Sequence, residues 1–254
     1  MTGIIVFAGI ATAAGDYPFS GRWRMDTTSI TGAKPTVFQV RDGLFQRNGA
    51  KAIKADGLPH PVTDSGYVDE QIITIESDHL VRETDKIRGR LAYVVDYEIS
   101  RDGNSLTSKV ANYTNPDGKP VFTETAERRI GAAVKGAHLL SGRWKRINIT
   151  VDPKSDWILR LDGNRFSWRK EGGAGYDAII GGLPVPLDGD NSGVRAQVTR
   201  PQPDLIVETD FATNGTIDDT LSMRLMPDGK TITASGIYAS GKGKTTFILR
   251  RVAD

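Results

Sequence analysis

The chain contains the stretch Phe19-Ser20-Gly21-Arg22-Trp23-Arg24 and returns to it, nearly unchanged, as Leu140-Ser141-Gly142-Arg143-Trp144-Lys145. Further blocks recur in the same order at a similar spacing. They are Gly57-Leu58-Pro59 with Gly182-Leu183-Pro184, Glu83-Thr84-Asp85 with Glu208-Thr209-Asp210, and Arg128-Arg129 with Arg250-Arg251. Self-similarity at a fixed period is typical of a duplicated structural unit. We therefore predict two copies of one domain, at 16–131 and 140–254, separated by a short Gly/Ala-rich joint.

Within each copy, apolar and polar residues alternate with the two-residue period of a half-buried strand. Tyr93, Val95, Tyr97 and Ile99 share one face of such a segment. Asp-Gly pairs, typical of hairpin turns, begin at positions 42, 56, 102, 117, 162, 188 and 228. Short strands must protect their edges, and closing the sheet does so. The pattern predicts an all-β protein of two tandem antiparallel up-and-down β-barrels with little helix.

The composition excludes several classes of function. Basic and acidic residues nearly balance, 33 against 31, so we expect no nucleic-acid partner. The chain has no cysteine and only three histidines, so we expect neither a metal site nor a cofactor. No apolar run reaches the roughly 18 residues that span a bilayer, so we expect no transmembrane segment. The oligomeric state is left open.

Residues 1–15 differ from the rest of the chain. The segment 3–14 is apolar, uncharged and ends in small residues, with Ala11-Thr12-Ala13 in the A-x-A arrangement that a signal peptidase accepts. These features predict a signal peptide and a periplasmic or secreted bacterial protein. No Lys or Arg precedes the apolar run, so a buried first strand is the alternative.

The Gly-x-Trp blocks resemble the signature on the first strand of lipocalins and fatty-acid-binding proteins, the calycin group. This resemblance implies that each indole plugs one end of a barrel and that an arginine from the last strand lies across it. Arg128 or Arg129 would cover the indole in copy one, and Arg250 or Arg251 in copy two. The whole chain resembles a group of exported two-repeat bacterial proteins with lipocalin-like domains and mostly no assigned function. The shared features are the paired Ser-Gly-Arg-Trp starts, the joint at Gly136-Ala137-His138 and the Asp-Gly hairpins.

Residues present in both copies are expected to serve the shared fold, and residues found in one copy to serve a task. On this basis we expect the repeated Glu-Thr-Asp segments to face solvent. Copy-specific aromatic residues are candidates for gripping an apolar ligand, with ordinary core packing as the alternative. These candidates are Tyr93 and Tyr97 in copy one and Phe166, Trp168 and Tyr176 in copy two. His60, with Tyr93 and Tyr97, is a candidate for acid–base catalysis, and a surface turn is the alternative for the histidine.

Three functions fit this sequence. The first is an exported binding or carrier protein that holds a small hydrophobic ligand in a barrel, because eight-stranded barrels can retain one such cavity. The second is a non-metal enzyme of the hydratase, lyase or isomerase type that acts on a small apolar or aromatic substrate. The third is a structural or protein-binding module. A shifted carboxylate or histidine inside one barrel would favour the enzyme.

Overall fold

The computed structural model of the protein describes residues 19–63, 68–189, 193–238 and 243–253, and these residues fold almost entirely into β-strands. The prediction of an all-β protein is confirmed. The segment 1–15, predicted to be a signal peptide, lies outside the described residues. Within the described part of the chain, no helix combines the length and the apolar character needed to cross a membrane.

The first repeat supplies ten strands. They are β1 (Gly21–Thr31), β2 (Thr36–Arg41), β3 (Leu44–Arg47), β4 (Ile53–Lys54), β5 (Pro59–Pro61), β6 (Glu70–Ser77), β7 (Leu80–Ile87), β8 (Arg90–Ile99), β9 (Ser105–Asn112) and β10 (Val121–Ile130).

The second repeat supplies ten more strands in the same succession, with one turn of 3-10 helix (Pro153–Ser155) after the first of them. They are β11 (Gly142–Val151), β12 (Trp157–Asp162), β13 (Arg165–Lys170), β14 (Gly175–Ile179), β15 (Val185–Pro186), β16 (Arg195–Gln202), β17 (Leu205–Phe211), β18 (Ile217–Leu225), β19 (Thr231–Tyr238) and β20 (Gly243–Arg251).

The strands form two ten-stranded antiparallel sheets, each curled into a nearly closed barrel, so the prediction of two β-barrels is confirmed. In the first barrel β11 lies between β2 and β10, and the order is β4-β3-β2-β11-β10-β9-β8-β7-β6-β5. In the second barrel β1 lies between β12 and β20, and the order is β14-β13-β12-β1-β20-β19-β18-β17-β16-β15. Each repeat thus gives its first strand to the other barrel.

The strand exchange divides the chain differently from the predicted boundaries. The first barrel is the continuous stretch 36–151, whereas the second combines 21–31 with 157–251. The predicted ranges 16–131 and 140–254 follow the two repeats, so each contains one strand of the other barrel. The predicted ranges missed the exchange because β1 and β11 begin with the same Gly-Arg-Trp sequence.

Backbone hydrogen bonds connect the two ends of each curled sheet. In the first barrel the Gly57 N–H donates to the Ile73 carbonyl at 3.0 Å. In the second, the Gly181 N–H donates to the Val198 carbonyl at 2.8 Å, and the Asp188 N–H donates to the Gly175 carbonyl at 2.7 Å. These bonds satisfy backbone groups that an open sheet edge would leave unpaired.

Trp23 and Trp144 occupy equivalent positions in the two barrels. Both are 0 % exposed, and each indole N–H donates to the carbonyl four residues earlier at 2.8 Å. The Arg129 guanidinium lies 4.1 Å from the ring centre of Trp144, and that of Arg251 lies 4.3 Å from the ring centre of Trp23. The expected arginine cover is therefore present in both barrels, with the pairing exchanged between the repeats together with the first strands.

The same arginines explain the glycine of the Gly-x-Trp blocks. The φ angle is +147° at Gly21 and +134° at Gly142, a region that favours glycine. A Cβ at Gly21 would lie 2.2 Å from a guanidinium nitrogen of Arg251, and a Cβ at Gly142 would lie 2.6 Å from one of Arg129. Each of these nitrogens donates to the carbonyl of the serine before the glycine, at 2.7 and 2.6 Å. Glycine is needed because the guanidinium group lies so close to the backbone.

Apolar side chains fill the part of the barrel next to each tryptophan, and polar side chains follow further along the strands. In the second barrel Ile206 and Met223 are fully buried near Trp23. Successive inward positions on β17, moving away from that end, are Ile206, Glu208 and Asp210. The core thus leads directly into a region that contains buried acidic groups.

Candidate functional site

The repeated Glu-Thr-Asp segments lie inside the barrels. Glu83 is 0 % exposed, Asp85 5 %, Glu208 8 % and Asp210 7 %. The prediction that they face solvent is wrong, because they share the inward face of β7 and β17 with apolar core residues. Strand periodicity places alternate residues on one face but does not say which face is buried. Two equivalent pairs of carboxyl groups are therefore enclosed in the protein.

In the first barrel the carboxyl groups are satisfied by neighbouring side chains. The Arg47 guanidinium donates to both oxygens of Glu83 at 3.1 Å and also to the Tyr97 hydroxyl. The Tyr97 hydroxyl donates to Glu83 at 2.6 Å. The Gln71 amide donates to Glu83 at 2.6 Å and to Asp85 at 2.8 Å. In this network Glu83 thus accepts hydrogen bonds from three side chains, and one of them, Arg47, also supplies a positive charge.

Burial shifts the titration of two members of this network. The pKa of Asp85 is raised to about 7, first by burial and then by the negative charge of Glu83. The pKa of Tyr97 is raised well above its usual value by burial and by the same charge. Tyr97 therefore stays a neutral hydrogen-bond donor at physiological pH.

In the second barrel the acidic pair has aromatic neighbours. The Tyr176 hydroxyl donates to Glu208 at 2.7 Å. The rings of Trp168 and Tyr176 are stacked with centres 6.1 Å apart, and Phe166 lies 6.4 Å from Tyr176. Three aromatic rings and two carboxyl groups therefore meet in one part of the barrel.

Two buried polar atoms of this cluster have no hydrogen-bond partner among the described residues: the indole nitrogen Nε1 of Trp168 and the Oδ1 oxygen of Asp210. A third such atom, the hydroxyl oxygen of Ser235, belongs to β19, where Ser235 alternates with the inward-facing Ala234 and so points away from the barrel interior. An unpaired donor and an unpaired acceptor thus lie inside the second barrel.

The carboxyl groups of the second barrel titrate far above their usual range. Burial raises the pKa of Glu208 to about 7. Burial, followed by the charges of Glu208 and Asp219, raises the pKa of Asp210 to about 8. Asp219 lies opposite Asp210 on β18, and burial raises its pKa as well. At neutral pH Glu208 is therefore divided between its neutral and ionised forms, and Asp210 is mostly neutral.

Strand register allows the two barrels to be compared position by position. Arg47 lies opposite the buried Phe38, as Trp168 lies opposite the buried Leu159. The same comparison applies to the other two donors of the first barrel. The three equivalent pairs are Arg47 and Trp168, Gln71 and Ala196, and Tyr97 and Met223. All three donors to Glu83 are thus replaced at the equivalent positions of the second barrel, where the hydroxyl of Tyr176 on β14 bonds Glu208.

The structure separates the predicted site residues into two groups. Tyr97 belongs to the network of the first barrel, and the half-buried Tyr93 lies opposite Asp85 on the same sheet. Phe166, Trp168 and Tyr176 meet in the second barrel. The two predicted groups of aromatic residues therefore belong to different interiors.

His60 is in neither group. It lies on the edge strand β5, and its Nε2 atom is 2.7 Å from a carboxyl oxygen of Asp56. The structure does not bring its ring into hydrogen-bond contact with Tyr93 or Tyr97.

Arg47 and Gln71 were not identified from the sequence as partners of Glu83. Nor was it predicted that the carboxyl groups point into the barrels. The contrast of Arg47 with Trp168 at equivalent positions was a signal for the first of these.

A groove of about 480 Å³ lies elsewhere, along β9, β10 and β11. Its lining includes Val110, Phe122 and Val151, and Phe122 is 57 % exposed. Its one basic residue, Lys109, is paired with Glu98 at 2.8 Å. This groove contains none of the predicted site residues.

No protein-family model matches the chain, and a comparison with curated proteins gives no match either.

The interior of the second barrel is the strongest candidate site. It combines unpaired buried polar atoms, aromatic rings and carboxyl groups with raised pKa values.

Proposed function

We propose that the protein binds a small, largely apolar molecule inside the second barrel and serves as an exported binding or carrier protein. The observation that supports this most directly is the pair of unpaired buried atoms, Nε1 of Trp168 and Oδ1 of Asp210. Leaving a buried polar group unpaired costs about 1–3 kcal/mol, and native proteins rarely do so without a reason. A bound molecule with one acceptor and one donor would satisfy both atoms.

The surrounding side chains suit an apolar or flat ligand. Trp168, Tyr176 and Phe166 offer ring faces and edges, which provide large contact areas at little cost in conformational entropy. The first barrel is a poorer host, because Arg47 and Gln71 already occupy the hydrogen-bonding capacity of its carboxyl groups. The proposal therefore places the ligand in the second barrel only.

Export is part of the same proposal. The apolar segment 3–14 with its Ala-Thr-Ala end supports it. The size of the mature chain, measured by mass spectrometry after expression in a bacterial host, checks it. A periplasmic protein shortened near residue 14 is expected, and a full-length cytoplasmic product would contradict export.

The binding proposal is tested with protein purified from its host. Organic extracts are analysed by mass spectrometry, and palmitate, farnesol and 1-naphthol are titrated while tryptophan fluorescence is recorded. We expect saturable binding at one site per chain for at least one compound, and binding about tenfold weaker in Trp168→Phe. Tyr97→Phe, the removal of one donor from the first barrel, is the matched control and should leave binding unchanged. The absence of saturable binding and of any extracted compound would refute the proposal.

A second candidate function is an acid–base enzyme of the hydratase, lyase or isomerase type. It is favoured by the contact between the Tyr176 hydroxyl and Glu208, whose pKa of about 7 suits proton transfer at neutral pH. In that case the compound extracted from Glu208→Gln should be the unconverted substrate. It should differ from the compound extracted from the wild-type protein by a rearrangement or by one water molecule. Identical compounds in the two extracts would favour binding without catalysis.

A further inference from the structure

The first barrel shows which group balances the buried acidic pair. The guanidinium of Arg47 bonds both oxygens of Glu83, and it also contacts the hydroxyl of Tyr97. A buried carboxylate is costly unless a cation or several donors accompany it. The first barrel therefore carries its own cation at this position.

The second barrel keeps the acidic pair and lacks the cation. An indole, Trp168, stands at the position of Arg47, and Ala196 stands at the position of Gln71. Asp219 adds a third carboxyl group opposite Asp210. No basic group contributes to the titration of Glu208. Among the described residues the acidic pair thus has no cation bonded to it, and its partners are the hydroxyl of Tyr176 and the carboxyl group of Asp219.

We propose that the molecule bound in the second barrel is an organic cation, a protonated amine on a small aromatic or apolar skeleton. Its ammonium group lies beside Glu208 and Asp210, and it faces the rings of Trp168 and Tyr176. Carboxylates and aromatic faces are the two protein groups that attract an ammonium ion most directly. This inference rests on the proposed function and adds the charge of the ligand to it.

The described charged groups of this interior support a cation over an anion. The ionisable groups that act on the acidic pair are Tyr176 on β14 and Asp218 and Asp219 on β18. The apolar residues that other strands contribute to this core include Met25, Ala196, Val198, Ala234, Phe247 and Leu249. Four carboxyl groups therefore meet here, and Lys170 lies beside Trp168 on the same strand, β13. Its ammonium lies 5.6 Å from the ring centre of Trp168, and it forms no ion pair with a described residue.

A metal ion is the other cation to consider. Among the described residues, no group of three or more histidine or acidic side chains is arranged to hold one. The Trp168 N–H would also be left unused, because a metal ion accepts no hydrogen bond. An amine whose skeleton carries an oxygen acceptor satisfies this donor as well as the carboxylates.

Binding of an amine should release protons and depend on pH. Glu208 and Asp210 titrate near pH 7 and 8, so part of this pair is protonated at neutral pH and must ionise when the ammonium binds. The affinity should therefore fall as the pH drops from 8.5 to 6, by about tenfold per unit while one proton is released. A neutral ligand of the same shape should show no such fall.

Three compounds of nearly equal shape, each with a phenolic oxygen that can accept from Trp168, test the inference: tyramine, tyrosol and 3-(4-hydroxyphenyl)propanoate. Titration calorimetry with the wild-type protein at pH 8.5 should give an affinity for the amine at least tenfold above that for the other two. Calorimetry in buffers of different ionisation enthalpy should reveal proton release near pH 7 for the amine alone. Calcium chloride, added as a separate arm, should give no heat of binding.

Variants show which side chains bind the amine. Glu208→Gln and Asp210→Asn should each weaken amine binding at least tenfold and flatten its pH profile. Trp168→Arg, which copies the first barrel, should abolish amine binding while circular dichroism shows an intact β fold. Asp85→Asn, the matched change in the first barrel, should leave the amine affinity unchanged.

The outcomes separate the two proposals. The proposal that the ligand is an organic cation is refuted if the alcohol or the carboxylate binds as tightly as the amine or more tightly, or if calcium binds. The proposed binding function is not refuted by these results. Failure of every compound here and in the first titration series overturns both. Unchanged amine binding in Asp210→Asn and Glu208→Gln also overturns the cation, because both variants keep the shape of the interior.

Discussion

The same substitution at two equivalent positions, Glu208→Gln and Glu83→Gln, should change stability in opposite directions. Among the described residues Glu208 is buried with one hydroxyl donor and no cation, whereas Glu83 is bonded by the guanidinium of Arg47. Glutamine keeps the shape of glutamate, and its carbonyl can still accept the Tyr176 hydroxyl. The difference between the variants therefore reports the charge alone.

The magnitude follows from the titration of Glu208. Its pKa is about 7 in the folded protein against an ordinary value of 4.5. A carboxyl group whose folded pKa is raised holds its proton more tightly in the folded state, so stability falls as the pH rises from 4.5 to 7 and stays low above that range. At about 1.4 kcal/mol per pKa unit, the loss is about 3 kcal/mol. Glu208→Gln should recover about 3 kcal/mol at pH 8.5 and almost nothing near pH 4.5.

Glu83→Gln should act in the reverse sense, because it leaves the guanidinium of Arg47 without a carboxylate. Breaking a fully buried ion pair costs about 3–5 kcal/mol. The Arg47 side chain is 39 % exposed, so water can replace part of the lost contact, and we expect a loss of about 2 kcal/mol at neutral pH.

Hydrogen exchange measured by mass spectrometry distinguishes the two barrels, because peptides from β7 and β17 report opening of the first and the second barrel separately. The ligand-free protein is compared with both variants at pH 5, 7 and 8.5, with urea unfolding as a second measurement. A loss of protection on β17 in Glu208→Gln at pH 8.5, or changes of the same sign in both variants, would refute the reasoning.

Three further predictions concern the architecture. The fragment 33–152, which contains all ten strands of the first barrel, should unfold cooperatively in urea as followed by circular dichroism, whereas 16–131 should not, since it lacks β11. Trp23→Ala and Trp144→Ala should each cost about 3–5 kcal/mol in urea unfolding, since both indoles are fully buried; a cost below about 1 kcal/mol at either position would contradict their equivalence. His60→Ala should change the free energy of unfolding by no more than about 0.5 kcal/mol and leave the titrations unchanged, and a large effect would return His60 to the candidate site.

The sequence was sufficient to predict the repeated barrel, because short blocks of residues recur in order. The resemblance to the Gly-x-Trp signature implied the arginine-covered tryptophans, although it paired each arginine with the tryptophan of its own repeat. The sequence was not sufficient to assign β1 and β11 to their barrels. Both strands carry the same Gly-Arg-Trp start, so no local signal distinguishes a strand that stays in its repeat from one that crosses to the other. The aromatic group of the second barrel was predicted, because Trp168 is found in one copy only and Phe166 and Tyr176 lie near it in the sequence. The acidic pairs were placed on the wrong face, because alternation fixes which residues share a face and leaves open which face is buried.

The acidic pairs also show how a duplicated chain should be compared. Residues present in both copies were assigned to the fold, and Glu83 and Glu208 were set aside on that ground. The two glutamates are indeed equivalent, but their partners are not: one has Arg47 and Gln71, and the other has Tyr176. A buried acidic group without a cation lowers stability unless something else supplies the positive charge. A shared residue that has lost its partner in one copy therefore indicates a binding site as strongly as a residue found in one copy only. Equivalent residues of the two repeats should be compared by their hydrogen-bond partners as well as by their identity.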